Sequence, residues 1–597
     1  MSTDEKVQVS VIFATYNRAD IISDVLKAWE FVNQKTKYSY EIICSDDESS
    51  DNTVSIIKAK QGLPIKILEN EHGGASKARN AALKIAKGEI IIFTGDDIFP
   101  CPDYVNDHYE NYIKYGPKVA TLGQIEWHNN IKVNHLMNHI TNVGCEQFGF
   151  AGLLPYQLTD FRHFYTSNIS IARSELEKLG EKFSLTFDKY GFEDIELGFR
   201  LSKNGVRILY DPNILVYHYH EYHSVDKFCN RQLSAGDQLV VFEQLHSDLS
   251  KYTGFENNDV FAQVVTNYIK NNKNYSLKGK LNQLFISWMK QKTVNLEKKI
   301  ADQDSMINRG LCSLLYSEIF RYHMYLGWAK RINKGIQVDE TQITESIIRF
   351  MNSDYAQLFW DSGNDFNEIE SLRINVVGND FQYRFHVKDC RRIRFDPLNK
   401  KCIVKHLKVY GFNEEGNKFE LIPAWMNAGK VEQNTLSFMN TEDSQIIYEN
   451  FDDKIKEVEI HGIINGPKKV PYWIWILARY SRNLFRKRDL TTKVLQPFKI
   501  QILLPDNMEI NYEKLINQPG IRYTTLSERI HGFCDYVLLL SSDEVSEEKI
   551  CEGATIIQDK YCDYVKHEKF VIVQELIAVD WEGFKEKRKY LRGYDMN

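Results

Sequence analysis

The chain lacks the features that mark several large protein classes. No apolar run approaches the roughly 18 residues that a membrane-spanning helix needs. Its first residues, Met1 to Lys6, are polar and lead directly into a strand-like run, unlike a secretory leader. Ten cysteines are scattered from Cys44 to Cys562 without a C-x-x-C pair. That spacing excludes the usual zinc cluster and gives no sign of a disulfide framework. Reduced thiols in a cytoplasmic protein are the plain reading. There is no basic excess either: the net charge is −6, whereas a general nucleic-acid binder needs cations to neutralise phosphates. No nucleic-acid partner is therefore expected.

What is present is a soluble composition, 43% hydrophobic and 26% charged, in a chain too long for one core. Its 597 residues suggest roughly three or four domains. Residues 8–14, 41–44, 65–68 and 89–94 are short, nearly all-apolar strand-like runs. Helical patterns separate them: Ile22, Val25, Leu26 and Trp29 at helical spacing, Val54 to Lys60 behind a capping Asp51, and Ala75 to Lys87. This alternation implies a doubly wound parallel sheet. Val206 to Tyr210 and Ile214 to Tyr217 read as two later strands that finish the domain near residue 245. From 246 to 355 the strand signals vanish, and stretches such as Leu281 to Met289 and Leu311 to Trp328 read as helices, with a break near Asn271-Asn272. From 356 to 467 the apolar period becomes two (Leu372, Ile374, Val376; Tyr383, Phe385, Val387; Ile393, Phe395) with regular turn residues, which predicts a β-sandwich. Residues 491–597 read as a small α/β domain around Ile500 to Leu504, Tyr536 to Leu540 and Phe570 to Val573.

Between them, 468–490 is basic and aromatic. Seven Lys and Arg residues flank Tyr472-Trp473-Ile474-Trp475-Ile476, with no acid before Asp489. Such a stretch docks on an anionic membrane surface or packs as an amphipathic helix on a neighbouring domain.

Four segments carry the chemistry: Phe13-Ala14-Thr15-Tyr16-Asn17-Arg18, Cys44-Ser45-Asp46-Asp47-Glu48-Ser49, Phe93-Thr94-Gly95-Asp96-Asp97 and Gly191-Phe192-Glu193-Asp194-Ile195-Glu196. Acids follow directly on buried strands, at the edge where open α/β sheets bind ligands. A carboxylate is expensive to bury there unless it holds a cation, a base edge or a proton. Each has a plain structural reading as well. The run from Asp46 to Asp51 caps a helix, and Glu193 and Asp194 head one whose Leu197 and Leu201 face a core. His72-Gly73-Gly74 opens a helix whose free amides suit a phosphate, with Lys77 as a further contact or a surface residue.

Together the four segments resemble the family-2 glycosyltransferases, inverting enzymes with a GT-A (Rossmann-like) fold. The Gly191 to Leu201 stretch is similar to the acceptor-side motif of bacterial polysaccharide enzymes such as chondroitin polymerases. The resemblance covers 1–245 and not the later domains. It implies transfer of a sugar, with inversion, from a nucleotide-diphosphate-sugar, UDP-sugar favoured, to a hydroxyl of a growing glycan in bacterial surface polysaccharide or glycoconjugate synthesis. It implies Asp194 as general base with Glu193 orienting the acceptor, and donor contacts from Thr15, Tyr16, Asn17, Asp46, Asp47, Arg79 and Asp96. It further implies a divalent cation, Mn²⁺ or Mg²⁺, on Asp97 with His218, and His220 shares that side of the strand. The family's first metal-site acid is here Gly95. Phe187, Tyr190 and Phe192 stand where they would stack on sugar faces. The implied partners are the donor and a glycan or lipid-linked glycan acceptor. A contact of 468–488 with the inner face of the membrane and a homo-oligomer are further expectations. Two other readings are a nucleotidyl transferase, disfavoured because no Gly-x-Gly loop follows the first strand, and a catalytically silent module of this fold in a glycan-binding or scaffold protein.

Overall fold

The computed structural model describes residues 6–478, apart from short stretches within 151–154, 250–256, 362–370, 378–379, 451–454 and 467–470 and a few single residues, and beyond them the backbone of four strands. The chain divides into two units, 1–225 with 293–317 and 486–597, and 226–292 with 318–485.

In the first unit the elements run β1 (Val9–Thr15), α1 (Ile22–Lys35), β2 (Tyr40–Asp46), α2 (Thr53–Ala59), β3 (Ile65–Glu69), α3 (Gly74–Ile85), β4 (Ile90–Thr94), β5 (Ile98–Pro100), α4 (Tyr104–Tyr115), β6 (Val119–Trp127), α5 (His135–Asn142), β7 (Leu158–Thr159), β8 (Asn168–Ala172), α6 (Arg173–Glu177), α7 (Glu193–Lys203) and β9 (Arg207–His218). The sheet order is β3-β2-β1-β4-β8-β6-β9-β5, with β7 on β9. The β3-β2-β1-β4 half is parallel. From β4 onward the sheet is mixed, because β8 runs antiparallel to β4 and β6. Strands covered by helices on both faces read as continuous apolar runs, and both faces are indeed buried. Val9, Val11 and Phe13 pack with Ile22, Leu26 and Trp29 of α1. Ile12, Ile43 and Phe93 pack with Ala82 of α3 and Leu197 and Leu201 of α7.

The two expected late strands are one, β9. Its pairing with β6 slips between Gly123 and Gln124, where Asp211 and then Leu215 are the partners, so Pro212-Asn213-Ile214 bulge out. Proline has no N–H for the ladder and is confined in sheets to edges and bulges.

The helices that follow are α8 (Val225–Leu245), α9 (Asn258–Asn271), α10 (Leu277–Asp302), α11 (Met306–Ile332) and α12 (Glu340–Met351). Within the second unit α8 and α11 meet through two glycines. A Cβ on Gly236 would lie 1.8 Å from the Met324 carbonyl oxygen, and one on Gly327 1.9 Å from that of Leu233.

A β-sandwich follows: β10 (Asp354–Asp361), β11 (Ser371–Val376), β12 (Asp380–Cys390), β13 (Arg392–Asp396), β14 (Ile403–Phe412), β15 (Lys418–Glu420), β16 (Trp425–Met426), β17 (Lys430–Glu432), β18 (Thr435–Ser437), β19 (Ile446–Glu449) and β20 (Ile455–Asn465). One sheet has the order β11-β10-β13-β19-β16 and the other β12-β20-β14-β18-β17, with β15 on β14. The period-two residues Ile374, Phe385, Ile393 and Phe395 join Val404, Val458 and Ile460 in its core.

Of the basic aromatic stretch, 471–474 and 476–478 are described. Tyr472 and Ile476 are buried, and the Tyr472 hydroxyl donates to Glu318 Oε2 at 2.7 Å. The remaining basic residues, 468–469 and 479–488, lie outside the described residues. The last four strands, β21 (Ile500–Leu504), β22 (Ile521–Thr525), β23 (Tyr536–Ser541) and β24 (Phe570–Gln574), form a parallel sheet of order β22-β21-β23-β24. No disulfide joins cysteines among the described residues, and no helix among them is long and apolar enough to cross a membrane.

Candidate active site

The carboxyl ends of β1, β2 and β4 deliver Thr15, Asp46 and the turn Gly95-Asp96-Asp97 to one edge of the sheet. β5 begins immediately after Asp97 and pairs antiparallel with β9, setting Ile98 opposite His218. The Tyr219 amide then donates to the Asp97 carbonyl at 2.8 Å. Backbone pairing, not side-chain chance, puts His218 beside Asp97.

Three groups converge on one carboxylate oxygen. His218 Nε2 is 3.3 Å from Asp97 Oδ2, His220 Nδ1 is 3.8 Å away, and Arg18 Nη2 is 3.3 Å away. Arg18 Nε also reaches Asp96 Oδ1 at 3.2 Å. The rings of His218 and His220 stack at 5.6 Å, and Trp127 stacks on His218 at 5.5 Å. One ligand atom each from Asp97, His218 and His220 lie within 4.8 Å of one another. His218 Nδ1 is buried without a hydrogen-bond partner. One carboxylate and two imidazoles fit a divalent cation of the Mn²⁺ type better than Mg²⁺, which prefers an all-oxygen shell. His223 goes elsewhere, to Glu221.

The acidic pair is polarised. Burial and the neighbouring Asp97 charge push the Asp96 carboxyl up, against the pull of Arg18. Asp97 is held well below the usual carboxylate range by His218 and His220, with Arg18 adding to them, in spite of its burial. Gly95 has no room for a side chain: its Cβ would stand 2.9 Å from both Asp97 Oδ1 and Ile98 Cγ1.

The expected donor residues divide into two groups. Asn17 and Asp47 are occupied with the local fold. The Asn17 side-chain oxygen accepts the Ser50 amide at 2.8 Å. The Asp47 carboxylate accepts the Gly73 and Gly74 amides at 2.9 Å each, with His72 Nδ1 at 3.0 Å. The amides at the start of α3 that suit a phosphate are thus held by a carboxylate of the same domain. Lys77 likewise donates to the Glu71 carbonyl at 3.0 Å. Asp46, by contrast, is 2% exposed. Its Oδ2 accepts the Ser49 amide, while its buried Oδ1 has no partner. Thr15 is buried at the end of β1, and Tyr16 is half exposed beside His72 at 5.2 Å between rings.

The fourth segment enters the same edge through β8, whose Asn168 pairs with Thr94 of β4. Just before β8, the Thr166 amide points to Asp194 Oδ2 at 3.5 Å, and the Ile195 amide donates to Asp194 Oδ1 at 2.8 Å. Gly191 and Phe192 have φ of 123° and 69°. Two successive left-handed residues turn the chain sharply into α7, and for a bulky residue such as Phe192 that conformation is strained. Burial and the adjacent Glu193 carboxylate push Asp194 up to about 7, with Arg79 acting in the opposite direction. Arg79, on α3, lies 3.5 Å from Glu193 and over the Phe183 ring at 5.4 Å. Its Nε and Nη1 are buried without a hydrogen-bond partner. Asn80 fixes the Phe183 segment by bonds in both directions. Phe187 is buried, which removes it from the surface expected to stack on a sugar, whereas Tyr190 is 45% exposed.

Sequence reasoning quoted Arg18 and assigned it nothing. The available signal was that Arg18 is the one cation in the turn after β1, facing a pair of acids across the edge. Thr166 had no signal, since it contributes only a backbone amide.

Residues 10–178 match the family model described as Glycosyl transferase family 2. The chain is 28% identical over 242 residues to a hyaluronan synthase of Pasteurella multocida, covering 36% of this chain and 25% of that one. It is 26% identical over 230 residues to a chondroitin synthase of the same organism, covering 34% and 24%. The chain thus spans about a quarter of the length of these curated relatives. Among solved structures, residues 1–349 of S. aureus TarS align at 16% identity over 54% of this chain and 91% of that one, with a TM-score of 0.31.

Proposed function

We propose that this chain is an inverting glycosyltransferase that moves a sugar from a nucleotide-diphosphate-sugar to a hydroxyl of a growing glycan, in bacterial surface polysaccharide or glycoconjugate synthesis. The observation that carries the reading is one sheet edge of a family 2 domain holding both the Asp97, His218 and His220 group and a carboxyl, Asp194, tuned to about 7. A base works best with a pKa near the working pH.

Asp46 Oδ1, a buried acceptor without a donor, is matched by the N3–H of a uracil ring, so a UDP-sugar is the favoured donor. Tyr16 covers the base from the solvent side, and Asp96 meets the ribose. Arg79 neutralises Glu193 and keeps Asp194 from rising further. Asp194 takes the proton of the acceptor hydroxyl as its oxygen attacks the anomeric carbon, and Glu193 orients that acceptor. Asp97, His218 and His220 would hold a divalent cation, which when bound neutralises charge on the diphosphate leaving group. A lipid-linked acceptor fits work in the cytoplasm at the inner face of the membrane, with 468–488 as a contact. The sandwich would contact the glycan or join copies of the chain.

The test is nucleoside diphosphate release from UDP-, GDP- and dTDP-sugars with Mn²⁺, Mg²⁺ or EDTA, for the wild type and Asp194→Asn. Release from one donor, lost on substitution, is expected. Absence of both release and donor binding would favour the catalytically silent module that Gly95 keeps in view.

A further inference from the structure

α10 carries two apolar faces, one buried and one exposed. Ile286 and Met289 are buried, and Gly279 packs on the Thr341 backbone. On the opposite side Leu277, Leu281 and Leu284 are 66%, 54% and 56% exposed, and Trp288 continues the line at 39%. At about 100° per residue these four fall within an arc of roughly 60°. They form one crest along the outside of the helix. Lys280 flanks it on one side, and Lys278 and Lys292 on the other. Scattered single apolar residues on a surface mean little. Four in register on a helix that already has a buried face are a surface of another kind.

The crest does not end with the helix. Phe285 stacks on Trp288 at 5.3 Å and meets the ring of Tyr472 edge-on at 6.4 Å. Tyr472 is pinned to Glu318, and the two residues after it, Trp473 and Ile474, are exposed at 43% and 37%. A second stretch of chain, tied to α10 through Tyr472 and Phe285, therefore also exposes a tryptophan and an isoleucine.

Charge decides between the occupants. From residue 260 to 296 the sequence has no Asp or Glu and has Lys270, Lys273, Lys278, Lys280, Lys290 and Lys292, of which Lys290 is paired with Asp226 of α8 at 2.9 Å. A second copy of the same crest would set lysine against lysine. A polyanionic glycan would satisfy the lysines and the tryptophans but leaves the leucines facing water. An anionic bilayer satisfies all three: acyl chains for leucine, the headgroup boundary for tryptophan and anionic headgroups for lysine.

We infer that the outer face of α10, together with Trp473 and Ile474, is a docking surface for an anionic lipid bilayer, on which the chain lies without crossing it. The inference is independent of the transferase reading, since it needs neither donor nor turnover. The experiment is co-sedimentation of the full chain with vesicles of phosphatidylcholine alone or mixed with phosphatidylglycerol, read without any nucleotide. The wild type is expected to pellet with the mixed vesicles, and raised salt is expected to weaken that binding. Leu281→Glu with Leu284→Glu is expected to lower the partition coefficient about ten-fold or more. Leu281→Ala with Leu284→Ala keeps the helix intact and is expected to show a smaller loss in the same direction. Circular dichroism melting of each variant verifies that the chain is folded. Equal binding by folded wild type and variants, or none by the wild type, overturns the inference. So does a wild-type dimer that the Leu281→Ala, Leu284→Ala variant dissociates, which would give the crest to a second copy.

Discussion

Arg18 Nη2 lies 3.3 Å from Asp97 Oδ2, the same oxygen that His218 Nε2 approaches at 3.3 Å. The guanidinium stands beside the metal-type group as a resident cation, so Arg18 and a divalent ion compete for one carboxylate. Arg18→Met is expected to tighten Mn²⁺ binding in the absence of nucleotide by about ten-fold, the equivalent of 1.4 kcal/mol. Titration of Mn²⁺ followed by electron paramagnetic resonance measures this directly. Unchanged affinity would mean that the guanidinium does not compete.

The raised Asp194 carboxyl has two consequences with opposite signs. As a base it must be ionised, so donor-saturated turnover is expected to rise with pH through about 7. In folding terms, a carboxyl whose folded pKa lies above its unfolded one binds more protons when folded. Stability therefore falls as pH rises from the unfolded pKa near 4 to about 7. Asp194→Asn removes that loss. The variant is expected to melt above the wild type at pH 8 and level with it near pH 4, while its turnover falls by about 10²- to 10⁴-fold. Paired melting curves and rate profiles report the two effects separately.

Arg79 opposes the rise of Asp194. Arg79→Met is expected to move the rising, acidic limb of the rate profile to higher pH rather than merely lower the rate. A profile with the same midpoint and a lower plateau would reduce Arg79 to a donor contact.

Restoring the family's missing acid is not expected to restore anything. In Gly95→Asp the new Cβ would press on Asp97 Oδ1 and Ile98 Cγ1 at 2.9 Å. Asp97 would be turned away from the histidines. Mn²⁺ affinity is expected to fall, and Gly95→Ala is expected to show most of the loss. Tighter binding in Gly95→Asp would show that the turn relaxes enough to admit a second ligand.

Away from the site, Gly236→Ala drives a methyl to within 1.8 Å of the Met324 carbonyl oxygen. Overpacking of this kind costs about 1–3 kcal/mol. Chemical denaturation of the full chain is expected to show it as a loss of stability in the second unit.

The parallel half of the sheet was legible because Ile90-Ile91-Ile92-Phe93 and its counterparts are buried on both faces and leave no other reading. The antiparallel half was not. β8 reads Asn-Ile-Ser-Ile-Ala, too polar to look like a central strand. Asn168 and Ser170 are satisfied in burial by His108 on α4, which bonds both, at 3.1 and 2.9 Å, and Asn168 Nδ2 also donates to the Gln124 and Ile214 carbonyls. Those bonds are tertiary and leave no local trace. The same holds at the site. Strand ends were visible for Asp46 and Asp97, but the occupation of Asp47 by the Gly73 and Gly74 amides is a contact across 26 and 27 residues. Pairing of His218 with Asp97 needed β5, a three-residue strand below any sequence signal.

The pairing of β5 with β9 makes the metal-type group a gauge of strand register. A slip of one residue between Ile98 and His218 would present Tyr217 or Tyr219 to Asp97. A slip of two residues in one direction would present another imidazole, since tyrosine and histidine alternate from Tyr217 to His220. The repeat buffers the site against the commoner in-phase error and exposes the out-of-phase one. A refolded preparation that retains Mn²⁺ binding has therefore closed this edge of the sheet with its faces the right way round.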